Sequence, residues 1–470
     1  MGGDFYTVTH LALHKLSDII VQGALHWPTR EAVADASGSL TYAELAEQSA
    51  RVAAWLVGEG IRPGDRVAVH LPNSVRFVVA HFGVQSAGAV SVPLDPALTP
   101  PQVAAIIASA EPKCSLDANS SWGEIEAATP LVSPVNCAAD DLAALMFTTG
   151  TTGQPKGVML THANIFAALR NIVDFIGYTE QDREVITLPL SHNFGLGHVY
   201  CNLLAGGAVY LEPGLARVGR VLKAIKEFGA TGFPTTPLGI ALLLDRYGEA
   251  FAERAQRLRF MVVNSAPLPP ERAAQLQALL PQLNVLVYYG LTEASRSTFI
   301  SLTREGPGRY RSVGRPMKDV DLQLDADGQV LIGGPTVTPG YWRDLAATES
   351  ALSAGVLHTG DLGRFDADGY LYITGRIDDI INFGGYKINP LAVERVLEQF
   401  PGLSECAVVG SDSVVAYYVA ASELDADALT QYCRGQLQVY ETPTQFVRID
   451  HLPRTESGKL KRKVLISGGG

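Results

Sequence analysis

The sequence is short of several things, and each shortage removes a class of protein. Only five cysteines occur in 470 residues, at positions 114, 137, 201, 406 and 433. No two of them form a C-x-x-C pair, which disfavours a zinc or disulfide framework and suits a reducing compartment. No apolar run approaches the roughly 18 residues of a membrane span. The opening MGGDFYTVTH has no basic segment followed by an apolar core, so no signal peptide is read there. The expectation is a soluble, cytoplasmic protein. Charge is also scarce, with 18% charged against 47% hydrophobic residues and a net charge of −11. That balance describes a well-packed globular chain, and it argues against nucleic acid or an anionic membrane as partner. Two common nucleotide signatures are missing as well. Lys156 stands between Pro155 and Gly157, which breaks G-x-x-x-x-G-K-[ST], and no G-x-G-x-x-G follows the first strand.

What the chain does carry starts at Thr148. The run Thr148-Thr149-Gly150-Thr151-Thr152-Gly153-Gln154-Pro155-Lys156-Gly157 follows an apolar stretch and precedes a helix-start signal at Thr161. Backbone N–H groups, hydroxyls and one cation on a glycine-rich loop are what a polyphosphate needs: many donors, close approach and positive charge without bulk. Taken alone, the run reads more readily as an ordinary turn between strands, so the rest of the chain has to decide.

The length calls for two or more domains. Short β-branched runs at 65–71, 89–93, 184–188, 208–211, 259–264 and 284–289 alternate with helical patterns such as 75–86 and 102–110. Alternation of this kind predicts mostly parallel sheets covered on both faces. After Val320 the pattern becomes strand–turn–strand, with Asp-Gly turns at Asp327-Gly328 and Asp368-Gly369. The predicted fold is α/β: a large N-terminal domain of two αβ layers plus a small β subdomain over 1–377, then a small mobile α+β domain over 378–470.

Five further segments follow the threonine–glycine loop: LPLSHNFG from Leu188, YYGLTE from Tyr288, HTGD from His358, GRIDD from Gly375 and PRTESGKL from Pro453. Together with LTYAELAEQSARVAAWL near the N-terminus and GGPTVTPGYW at 333–342, this ordered set resembles the acyl-adenylate-forming superfamily. That group includes acyl-CoA and aryl-CoA ligases, stand-alone adenylation enzymes and luciferases. The resemblance covers essentially the whole chain.

The resemblance implies that a carboxylic acid attacks ATP to give acyl-AMP and pyrophosphate, and that a thiol then takes the acyl group. Both first reactants are anions, so cations, Mg²⁺ and in-line positioning are required. By the same resemblance, Thr148, Thr149, Gly150, Thr151, Thr152 and Lys156 clasp the phosphates. Tyr289 lies on the adenine, Thr292 contacts the α-phosphate, Glu293 binds Mg²⁺, Asp361 holds the ribose hydroxyls and Arg376 reaches the ribose or phosphates. Lys459 bridges the carboxylate and α-phosphate, with Thr148, Thr292 and Glu293 beside it as catalytic groups. Asp378 becomes a hinge, and Gly384 and Gly385 line a thiol tunnel. Luciferases carry a lysine at the position of Gly384, so oxidative chemistry is disfavoured. The implied domain alternation makes Lys459→Ala abolish adenylation while sparing thioester formation from supplied acyl-AMP.

For the acid itself, the resemblance points to His192, Asn193, Phe194, His198, Phe233, Ser265, Ala266 and Gly290. Amino-acid-activating relatives place an aspartate where Asn193 stands, so an α-amino acid is disfavoured. No Lys, Arg, Asp or Glu falls between Pro189 and Leu211, which favours an uncharged aryl or short-to-medium acyl tail. The acceptor is CoA or, alternatively, the phosphopantetheine of a carrier protein. A catalytically inactive nucleotide-binding scaffold is disfavoured by the intact set Lys156, Glu293, Asp361, Arg376 and Lys459.

Overall fold

The computed structural model describes residues 13–149, 155–383, 386–410, 413–455 and 460–466. The hydrophobic alternation read above folds into two large sheets with helices between and outside them. One sheet runs in the order Cys114–Asp117, Arg66–His70, Val90–Pro93, Leu142–Thr149, Pro155–Thr161. Its neighbours are parallel except the last pair, an antiparallel hairpin that brackets the threonine–glycine loop.

The other sheet has nine strands. Six of them, in the order Asn284–Tyr289, Phe260–Val263, Gly232–Thr235, Arg183–Ile186, Ala208–Leu211 and Glu31–Asp35, are parallel. Antiparallel strands close both edges. A parallel strand covered on both faces has to be apolar throughout, and this chain obeys. Phe260, Val262, Leu286 and Tyr288 face the core between the sheets. Met261, Val263, Val285 and Val287 face a second core under the helices Val218–Glu227, Pro237–Arg254 and Pro270–Leu279.

Thr161 ends the hairpin and starts the helix His162–Ile176. Its hydroxyl accepts from the Asn164 N–H at 3.1 Å while the Asn164 side chain accepts from the Thr161 N–H at 3.2 Å, a reciprocal cap. A smaller antiparallel sheet follows, built on Asp321–Leu324, Gln329–Gly333, Val356–Phe365 and Leu371–Arg376, with its own apolar cluster. Beyond the turn Ile377–Asp379 lies a separate core running from Ile381 to Cys433, formed by the three-stranded sheet Leu403–Gly410, Val414–Ala420, Gln445–Arg448 and its helices. Arg462 fastens the last described segment to this unit. Its guanidinium pairs with Glu394 at 2.6 Å and with Asp379, in the turn, at 3.3 Å. Among the described residues no helix is long and apolar enough to cross a membrane.

Candidate active site

Gly150, Thr151, Thr152, Gly384, Gly385 and Lys459 lie outside the described residues, as does the side chain of Thr149. The other expected residues collect at strand ends and in the loops that follow them. The strand Asn284–Tyr289 ends at Gly290, where a Cβ atom would fall 2.4 Å from the Arg296 nitrogen and 2.8 Å from the Ala294 oxygen. Only glycine allows so tight a reversal. The turn is locked by reciprocal backbone hydrogen bonds between Leu291 and Ala294 at 3.0 and 3.2 Å. It presents Tyr289, Thr292 and Glu293 in succession.

On the phosphate-loop side, Thr148 sits opposite Lys156 in the hairpin register. The Lys156 ammonium lies 5.4 Å from the centre of the Tyr341 ring. The Tyr341 hydroxyl donates to Glu293 Oε1 at 2.7 Å. Burial and then the Glu293 charge raise the Tyr341 pKa, so the phenol stays protonated and remains a donor. Tyr341 thus stands between the loop cation and the carboxylate, touching both. Its ring favours the ammonium by cation–π attraction. The sequence segment GGPTVTPGYW contained this residue, but nothing local in it indicated a contact with Glu293, 48 positions away.

On the side expected to take adenosine, Asp361 and Arg376 are direct cross-strand partners and their side chains form an ion pair. The Tyr289 hydroxyl donates to the other Asp361 oxygen at 2.7 Å. Burial first, and the adjacent carboxylate second, hold Tyr289 well above the usual phenol range. Among the described residues no cluster of three or more His, Cys, Asp or Glu side chains could hold a metal. A lone, partly exposed carboxylate at Glu293 nevertheless suits Mg²⁺, which keeps several waters and binds through one or two carboxylates plus substrate phosphates.

The expected acyl side is built around the helix Asn193–Leu204. His192 occupies the N-cap without a capping side-chain bond, and its Nε2 lies 3.6 Å from Asp95 Oδ2. The imidazole beside it holds the Asp95 carboxyl below its ordinary value. Asn193 Nδ2 reaches the Thr292 carbonyl at 3.5 Å, joining this helix to the loop that carries Glu293. Phe194 packs edge-on against Tyr288 with ring centres 5.5 Å apart. Ser265 follows the strand Phe260–Val263 with φ +85°, a left-handed conformation that non-glycine residues seldom adopt outside constrained sites. Ala266, next to it, is only partly buried.

Three sequence expectations are corrected. Phe233 does not reach this region. It is fully buried under the outer helices, because strand alternation turns it away from the face that Gly232 presents toward Glu184 and Phe260. His198 is also interior, 1% exposed, with Nδ1 2.8 Å from Glu184 Oε2 and 3.0 Å from the Tyr178 hydroxyl. It is a bonded core histidine. Finally, the absence of charge between Pro189 and Leu211 does not leave the helix without a charged neighbour. Arg296, 3% exposed, comes from the loop after Glu293 and donates to the carbonyls of Asn193 at 3.0 Å and Phe194 at 3.1 Å.

The AMP-binding enzyme family model matches residues 21–342, and the AMP-binding enzyme C-terminal domain model matches residues 392–459. An oxalate–CoA ligase of Arabidopsis thaliana is 31% identical over 507 aligned residues, spanning 96% of this chain and 98% of that protein. A feruloyl-CoA synthase of an Amycolatopsis species is 32% identical, spanning 93% of this chain and 97% of its own length. Among solved structures, the O-succinylbenzoate coenzyme A synthetase of Bacillus subtilis in complex with ATP and a magnesium ion superposes with a TM-score of 0.83. It shares 28% identity and covers 97% of this chain and 99% of that one.

Proposed function

The chain belongs to the AMP-binding enzyme family and is an AMP-forming acid–CoA ligase, and from that premise we propose how its own residues divide the reaction. The acid is an aryl or short-to-medium acyl acid, activated as acyl-AMP and passed to the thiol of CoA. One observation carries the assignment of roles. The loop of Tyr289 to Glu293 joins an aspartate–arginine pair at one end to a lysine–tyrosine–glutamate cluster at the other.

In this reading Asp361 accepts the ribose hydroxyls and Arg376 neutralises Asp361 while facing the phosphates. Tyr289 offers its ring to the adenine. Glu293 would hold Mg²⁺, whose charge would offset that of the phosphates. Lys156 and the loop from Thr148 to Thr152 take the departing phosphates, and Thr292 meets the α-phosphate. Lys459 supplies the cation between the attacking carboxylate and the α-phosphorus. Asp378 is the pivot that exchanges Lys459 for Gly384 and Gly385 in the second half-reaction, with the domain boundary at 377/378. His192, Asn193, Phe194, Ser265, Ala266 and Gly290 surround the acid. The edge-on packing of Phe194 against Tyr288 supports a compact or aromatic acyl group there.

Carboxylate-dependent exchange of labelled pyrophosphate into ATP across a panel of acids tests the first half. Mass spectrometry of products with CoA and with a phosphopantetheinylated carrier protein tests the second. Exchange with at least one acid and a CoA thioester are expected. A thioester on the carrier alone would transfer the proposal to that acceptor, and no exchange with any acid would sink it.

A further inference from the structure

Arg296 is a buried cation without an acid. Among the described residues no carboxylate lies within ion-pair distance of it. Its guanidinium gives one nitrogen to the Asn193 and Phe194 carbonyls and another to the Ser295 hydroxyl at 2.8 Å, and rests 5.2 Å over the Tyr288 ring. The third nitrogen, Nε, is buried with no partner. A buried guanidinium lacking a counter-ion is costly, and this one sits at the N-terminal end of the helix Asn193–Leu204, where the backbone dipole adds further positive potential. Its backbone is left-handed as well, with φ +55°. The fold therefore holds a desolvated positive charge in a strained position, met by carbonyls, a hydroxyl and a ring but, among the described residues, by no carboxylate.

A cavity of about 20 Å³ lies against this group, bounded by Asn193, Gly197, Tyr200, Ser295, Arg296 and Thr336, with an apolar wall from the helix His162–Ile176. Thr336 is 2% exposed and its hydroxyl too is buried without a partner. Two unpaired polar groups from segments 40 positions apart thus line one small space. The space admits one water-sized group, the size of a single carboxylate oxygen, and leaves no room for an extended tail. Gly197 keeps it open for the arginine, since a Cβ atom there would lie 2.5 Å from Arg296 Nη2.

We infer that Arg296 and Thr336 select the acid substrate by binding a second oxyanion at its far end, so that the preferred substrate class is a compact dicarboxylic acid activated at one carboxylate. The inference rests on the acid–CoA ligase reading and deepens it. Asn193 is shared between this cavity and the proposed acyl site, so an acid lying along the first turn of the helix would direct its distal group to the guanidinium. A carboxylate there would supply the missing counter-charge and accept from both orphaned groups. An alkyl end would leave all of them unpaired, and that asymmetry is the basis of discrimination.

The test is pyrophosphate exchange with matched mono- and dicarboxylic acids of equal chain length, read as the ratio of diacid to monoacid kcat/KM. The wild type should favour a diacid. Arg296→Met should lower the ratio about 30-fold, equivalent to about 2 kcal/mol. Arg296→Lys should recover part of it, and Thr336→Val should lower it about fivefold by removing one neutral hydrogen bond. Because Arg296 also braces the helix start, Arg296→Met could unfold the protein. Thr336→Val, on a separate segment, then carries the test by itself, with ATP KM and thermal unfolding followed alongside. A wild type preferring monoacids overturns the inference while leaving the ligase reading intact. So does a ratio unmoved in both Arg296→Lys and Thr336→Val. Absence of exchange with every acid would instead break the ligase reading on which it rests.

Discussion

The two ends of the proposed site treat their polar groups in opposite ways. At the nucleotide end, Asp361 already has Tyr289 and Arg376 as partners, and Glu293 already has Tyr341. At the acyl end, Arg296 Nε and the Thr336 hydroxyl have none. A ligand arriving at the first end exchanges one set of hydrogen bonds for another and gains little net energy from each. A ligand arriving at the second satisfies groups that the folded chain leaves exposed to a desolvation penalty. In the proposed reaction the nucleotide end is thus suited to positioning and release, and the acyl end to discrimination.

Asp361→Asn should have the largest effect, because it removes the expected ribose acceptor and leaves Arg376 unpaired. We expect kcat/KM for ATP to fall about 100-fold, as for lost hydrogen bonds to charged groups; a fall below threefold in exchange assays at varied ATP would break the nucleotide half of the comparison. Gly197→Ala pushes a methyl group against Arg296 Nη2. It should cost about 1–3 kcal/mol in denaturant unfolding and move the acid ratio in the direction of Arg296→Met; a stability loss without that movement would detach Arg296 from selection. Tyr341→Phe deletes the donor that orients Glu293, and the Mg²⁺ concentration for half-maximal exchange should rise about tenfold, one hydrogen bond's worth.

Tyr289→Phe is the sharpest discriminator although its effect is smaller. If the phenol merely competes with the nucleotide for Asp361, its loss should leave KM for ATP within about threefold of the wild type, or lower it, while costing about 1 kcal/mol of stability. A tenfold rise in KM would mean that the hydroxyl contributes to nucleotide binding, and the exchange picture would fail. The smallest effect concerns Asp95, whose carboxyl is held below its ordinary value chiefly by His192. A lowered carboxylate contributes stability that is present above the usual range near about 4 and is lost as pH falls through the folded value. Since His192 is half exposed, the stability difference between wild type and Asp95→Asn should stay under about 1 kcal/mol at neutral pH and close as the pH falls through the lowered folded value; a difference that widened in acid would reverse the assigned sign.

The elements were largely legible because their signals are local. The helix expected over 75–86 is Val75–Ser86, the strand expected over 284–289 is Asn284–Tyr289, and Thr161 caps the helix it was read to start. Hydrophobic period and capping chemistry are written within a few residues. The contacts that give the site its character span 72 positions for Tyr289 and Asp361, and about one hundred for Asn193 with Thr292 and with Arg296. No window of sequence contains them. Arg296 was visible only as a charge three residues past Glu293, and its burial depends on the closeness of Gly197. Phe233 failed for a related reason. Alternation tells which residues share a face of a strand, whereas the face that meets the cleft is decided by which helices cover the sheet.

Arg462 has a mechanical consequence. It clasps Asp379 in the turn and Glu394 inside the C-terminal core, and it lies three positions beyond Lys459 in the chain. With the proposed pivot at Asp378, everything Arg462 grips is downstream of the axle. On that proposal the stretch from 460 would be geared to the rotating part and travel with it as a crank arm, without a stroke of its own. Loosening that grip, at Asp379 or Glu394, would introduce play between the angle of the rotor and the reach of its tip, in an enzyme whose every ATP contact was left untouched.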